Sequence, residues 1–166
     1  MLVDPLDPPE EVRGARHVLL TVFWHHRALP GLDAEHVWAS GRTVKALANR
    51  GVEVTDPIRA DVRLPGGAEA VETARHGELV YWLPEQRAVA VGDVLLGAGA
   101  KPRPTEDPLR LCPERWLGKA THDDLRASLR PLLELPVEHV LVSHGRPVVG
   151  GGRDALARVL HAPSAA

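Results

Sequence analysis

Three observations predict a layered α/β domain. Apolar runs of strand length recur at His17–Phe23, Glu78–Leu83, Arg87–Val91 and Glu138–Ser143, the pattern of strands buried on both faces. Between and after them lie segments with helical spacing and capping signals, so strands alternate with helices. The length of 166 residues suits one core-bearing domain that needs neither disulfide nor metal to fold. Residues 1–166 are read as a single domain.

Asp7-Pro8-Pro9-Glu10-Glu11 reads as a short helix start, with proline tolerated in a first turn. The run from His17 ends abruptly at Trp24-His25-His26-Arg27, and a Pro/Gly loop leads to a brief strand over His36–Ala39. Ser40 is placed to cap a helix of about Arg42 to Arg50, which Gly51 stops. From Asp61 to Leu96 the pattern is of strands and tight turns. Glu78–Leu83 and Arg87–Val91 flank Pro84-Glu85-Gln86 as a hairpin, and Gly92-Asp93 follows. Gly97 to Pro108, rich in Gly and Pro, reads as a surface loop. Thr121 opens a helix with an acidic capping arrangement, and Leu125, Leu129, Leu132 and Leu133 give it one apolar face. After the strand ending at His144-Gly145, the triplet Gly150–Gly152 precedes a last helix, Arg153 to Leu160. That triplet lacks the lysine and hydroxyl residue of a phosphate-binding loop.

Composition narrows the function classes. A net charge of -2 provides no global field for nucleic acid or an anionic membrane surface. The single cysteine, Cys112, excludes an internal disulfide and every cysteine-based zinc motif. The N-terminus carries no signal-peptide pattern and no window is apolar enough to span a membrane, so the expected location is the cytoplasm.

Among nine histidines, position singles out a few. Three strands end in a residue that can chelate or catalyse: the first at His25 and His26, the hairpin's second strand at Asp93, the late strand at His144. Ligand crevices in layered α/β proteins lie just past strand carboxyl ends. Two imidazoles and a carboxylate meeting there suit Zn²⁺, Fe²⁺ or Mn²⁺ with open positions for water. Trp24, beside the histidines, is the one tryptophan placed to line a pocket.

The order of these features resembles the metallo-β-lactamase superfamily, the αββα sandwich of metal-dependent hydrolases. Leu2-Val3-Asp4-Pro5 resembles that family's strand ending in an aspartate. Leu19-Leu20-Thr21 sits where its strand runs into a Thr-His-x-His-x-Asp-His motif. Leu83 to Asp93 resembles its hairpin leading to a metal-bridging aspartate, and Val140 to Val148 the strand that delivers its last histidine ligand. The resemblance runs from residue 2 to about 160.

The departures shape what this implies. Aligned on Thr21, the family's first two histidines fall on Val22 and Trp24, its aspartate on His26 and its final motif histidine on Arg27. The histidine expected before the hairpin has only His76 nearby. The resemblance therefore implies loss of the first metal site. A second survives, held by His26 (or His25, if the register slips by one), Asp93 and His144, with Asp93 as the catalytic carboxylate. Arg27 stands close to the metal position, where it binds a substrate anion or pairs with Asp93 in a metal-free site. Two readings follow. One is a single-metal hydrolase of a small ester, thioester, lactone or phosphoester; the other is a metal-free protein that binds a ligand or partner, with Arg27 in the emptied site. The sandwich is expected to be shortened at its N-terminus, leaving a sheet edge through which two copies pair as a homodimer.

Overall fold

The computed structural model describes residues 1–59 and 62–161. In chain order the regular elements are β1 (Leu2–Val3), β2 (His17–Leu19), β3 (His36–Ser40), α1 (Val44–Ala48), β4 (Asp56–Ile58), β5 (Glu69–Glu72), β6 (Leu79–Leu83), β7 (Ala88–Val91), β8 (Leu95–Gly97), β9 (Leu109–Leu111), α2 (His122–Leu129), β10 (His139–Val142), β11 (Val148–Val149) and α3 (Gly152–His161).

Two sheets face each other. The first is parallel throughout, in the order β1-β2-β3-β4, with Leu19 opposite Val3 on one side and Trp38 on the other. The second runs β11-β10-β7-β6-β5. Its β7 and β10 are parallel, with Val91 opposite Val142, and its other pairs are antiparallel. The two-residue period of β6 explains the layering. Leu79, Tyr81 and Leu83 face the first sheet and pack with Leu19, Ile58 and Ala90. Val80 and Trp82 face the other way, onto Leu125, Leu129, Leu132 and Leu156 of the helical layer built by α2, the 3₁₀ stretch Arg130–Glu134 that follows it, and α3. On the far side of the first sheet, Val18, Leu20 and Val37 pack against Leu47 of α1. The result is an αββα sandwich, the fold class expected.

Several elements differ from expectation for identifiable reasons. The apolar run from His17 yields only a three-residue strand, because Thr21 donates its backbone N–H to Asp4 Oδ1 (2.8 Å) and the chain then turns into a 3₁₀ stretch, Phe23–Gly31. The helix after Ser40 begins at Val44, and Ser40 instead accepts from the Arg42 N–H (3.3 Å) and, through its carbonyl, from the Thr43 hydroxyl (2.8 Å). Strand β4 contains Pro57, which hid it from pattern reading; as an edge strand it tolerates the missing donor. The capping arrangement at Thr121 is present: Thr121 N–H donates to Asp124 Oδ2 (2.8 Å), and Asp124 N–H to Thr121 Oγ1 (3.2 Å). No helix among the described residues is long and apolar enough to cross a membrane.

Candidate metal centre

Four parallel strands, two from each sheet, end at one place. Past β1 stands Asp4; past β2, Thr21 and then Trp24 and His25 in the 3₁₀ stretch; past β7, Gly92 and Asp93; past β10, Ser143 and His144. The approach of the sheets is tight. A Cβ on Gly92 would meet the Thr21 hydroxyl and would lie 2.8 Å from Glu78 Oε1, so only glycine admits the contact.

His25, Asp93 and His144 form the centre of the cluster, each offering one ligand atom, all within 4.8 Å of one another. Asp93 Oδ1 lies 3.3 Å from His25 Nε2 and 3.0 Å from His144 Nε2. Ligand atoms bonded to one divalent ion at about 2.1 Å and at tetrahedral or octahedral angles stand roughly 3.0–3.4 Å apart. Both edges that meet at Asp93 fall in that range, the third is no longer than 4.8 Å, and the donor set of two imidazoles and a carboxylate suits Zn²⁺, Fe²⁺ or Mn²⁺. The residues present therefore fit such an ion. Behind His25, Nδ1 meets Asp4 Oδ2 at 2.8 Å, an outer carboxylate that sets the tautomer and aims Nε2 inward. Asp4 is itself held by the Thr21 amide and hydroxyl.

The other oxygen of Asp93 is already engaged. The Trp24 indole N–H donates to Oδ2 at 2.7 Å and the Arg75 guanidinium at 3.2 Å. Arg75 lies over the Trp24 ring, 4.4 Å from its centroid, and pairs with the buried Glu78 at 2.9 Å. Glu78 also accepts the backbone N–H groups of Asp93 (2.7 Å) and Val94 (2.9 Å) through Oε1, which fixes the turn that presents Asp93.

These contacts set the proton affinities. Burial alone would lower His25, yet hydrogen bonds and charge from Asp4 and Asp93 lift it from 6.5 to about 9. Burial works against ionisation of Asp93, but His25, Trp24 and Arg75 hold it well below the ordinary carboxylate range. Burial pushes Glu78 up to about 7, against the pull of Arg75. Arg75 thus pairs with two carboxylates, Glu78 and Asp93, while Asp4 and Asp93 flank His25, so the cluster holds three carboxylates against one permanent cation. A cleft of about 470 Å³ opens beside the cluster, lined by His25, His144, Ser143 and Arg27 on its polar side and by residues such as Leu2, Leu83 and Leu141 on its apolar side.

Of the residues singled out from sequence, His25, Asp93 and His144 come together. His26 does not join them: its Nδ1 binds the Phe23 carbonyl at 2.8 Å, because the tight 3₁₀ turn sends the neighbouring rings in different directions. Arg27 is exposed on the cleft wall, and the guanidinium on Asp93 belongs to Arg75 instead. His76 is exposed and outside the cluster. Sequence reasoning missed Arg75 and Glu78. One signal for Glu78 was present, a carboxylate set directly against the apolar run Leu79–Leu83.

Comparison with solved structures places this architecture. The protein TTHA1623, solved in a di-iron-bound form, is similar at 24% identity and a TM-score of 0.60, over 95% of this chain and 86% of that one. A metallo-β-lactamase from Erythrobacter litoralis matches at 19% identity and a TM-score of 0.59, over 87% and 66%. One from Pontibacter korlensis matches at 15% and 0.58, over 98% and 80%. The chain has the metallo-β-lactamase fold. No family model matches the sequence, and no curated protein does. This metallo-β-lactamase fold spans about two thirds of the length of the Erythrobacter protein. Its Val22 is packed in the core and its Trp24 is bonded to Asp93, the two positions that the sequence resemblance matched to histidine ligands.

Proposed function

We propose that the protein is a metallo-hydrolase with a single divalent ion held by His25, Asp93 and His144. The observation that carries this reading is the spacing of the three donor atoms, 3.0 and 3.3 Å along the edges that meet at Asp93 Oδ1, with Asp4 braced behind His25. A bound divalent ion supplies a water whose pKa is lowered toward neutrality. The chain's own residues do the rest. Asp4 keeps the Nδ1 proton of His25, so that Nε2 remains the donor facing the site. Trp24 and Arg75 hold one oxygen of Asp93 and leave the other turned toward the two imidazoles. Their bulk and charge also fill the space beside Asp93, which supports one ion rather than two. Arg27 on the cleft wall suits an anionic end of the substrate, and the apolar wall suits a hydrocarbon portion. A small ester, thioester, lactone or phosphoester meets these conditions.

A specific observation favours the metal-free alternative: Asp93 already has four donors, from His25, His144, Trp24 and Arg75, and is satisfied without an ion. In that case the cleft binds a ligand or partner without hydrolysing it. Metal analysis by mass spectrometry on protein purified without an affinity tag separates the two. About one Zn, Fe or Mn per chain, lost in Asp93→Ala and in His144→Ala, is expected. No metal after incubation with Zn²⁺ and Mn²⁺ would overturn the hydrolase reading.

A further inference from the structure

A second cleft, of about 460 Å³, lies away from the strand ends between β9, α2 and α3, and shares no residue with the first. Leu109, Leu111 and Val159 give it an apolar floor, while Arg110, Arg126 and Arg158 contribute three guanidinium groups against one lining carboxylate, Asp107.

The arginines are not equivalent. Arg110 is pinned by Nη2, which donates to the carbonyls of Ala100 (2.7 Å) and Pro102 (2.9 Å), and its Nε is buried with no hydrogen-bond partner among the described residues. Arg126 is largely buried and ion-paired with Asp123 at 3.0 Å. Arg158 is exposed on α3 and makes no ion pair among the described residues. A purely apolar ligand would strip water from these cations without compensating them, at a substantial cost. A bare inorganic anion would leave the floor wet. The volume lies in the range of small-molecule sites.

We propose that this cleft binds a small organic anion: a carboxylate, sulfonate or phosphate group joined to an apolar body of one or two rings or an equivalent chain. Arg158 and Arg110 meet the anion, and Leu109, Leu111 and Val159 receive the apolar body.

The test uses a matched pair of fluorescent probes on the full chain. 1-Anilinonaphthalene-8-sulfonate carries the rings and the charge, while N-phenyl-1-naphthylamine carries the same rings without it. Titrations compare wild type with Arg158→Glu, a change at an exposed position, after circular dichroism has shown both folded. The expected result is saturable binding of the sulfonate that weakens at least about tenfold in Arg158→Glu, while the neutral probe changes less than about twofold. Sulfonate binding unchanged by Arg158→Glu would overturn the proposal. So would equal weakening of both probes, because that reports a disturbed surface rather than recognition of charge.

Discussion

His25 sits between two carboxylates, and without an ion it adds a positive charge to that of Arg75. Its proton affinity, raised from 6.5 to about 9, favours the protonated form in the folded state. The stabilisation this provides is complete below about pH 6.5 and is lost as pH rises toward 9. Glu78, raised from 4.5 to about 7, acts in the same direction over its own range. Asp93, held low, loses its stabilising ionisation only in acid. Metal-stripped protein is therefore expected to melt at steadily lower temperature from about pH 5 to pH 9, and a flat or rising profile in scanning calorimetry would contradict this assignment. An ion must displace the proton on His25 Nε2, so zinc affinity is expected to climb with pH up to about 9. Replacing the brace, Asp4→Asn, has two opposed effects. It loosens the ligand, worth about 10- to 100-fold in affinity, and it relieves the proton competition. Competition titrations with a zinc chelator should show the full loss near pH 9 and a smaller one near pH 6. At this scale Asp93 and His144 were legible as polar residues ending apolar strands. Arg75 was not, because one half of a buried ion pair reads in sequence like any exposed charge, and Glu78 showed only in its place against the apolar run Leu79–Leu83. The choice between His25 and His26 rested on a turn geometry that the apolar run concealed.

At the scale of elements, the hairpin β6–β7 was readable because its alternation and its turn agree. Helix α2 was readable because Thr121 and Asp124 stand at the capping spacing. The pattern failed where apolar residues serve something other than a ladder: Leu20 and Val22 are core residues beyond the end of β2, and Phe23 already lies in the 3₁₀ stretch. Strand β4, broken by proline, and the two-residue β1 and β11 are too short or irregular to show a period. The junction of β7 with the site rests on Gly92, and Gly92→Ala is expected to cost about 1–3 kcal/mol, since its Cβ would collide with Thr21 and Glu78. Urea denaturation measures it, and a neutral result would mean that Thr21 can rotate away from Asp4.

Over the whole molecule, the sandwich leaves β1 at the outside of the first sheet, where Met1 and Leu6 are exposed. Pairing of two copies along that edge would give a species of twice 18.0 kDa in light scattering, whereas a purely monomeric signal would set the homodimer aside. The fold class was legible because the order of strands, hairpin and helices is carried by long apolar runs. The union of the two sheets came only from the family resemblance and not from the pattern, since it depends on contacts between residues far apart in the chain. Asp4 and His25 stand on segments that follow strands of the first sheet, while Asp93 and His144 follow strands of the second. An ion shared by His25, Asp93 and His144 would thus act as a rivet through both sheets, closing a loop of more than a hundred residues. Clips across loops that long restrict the unfolded chain the most. Loading the site and resisting the parting of the two sheets would then be one event, and occupancy would be read from strands on either side that never touch the metal.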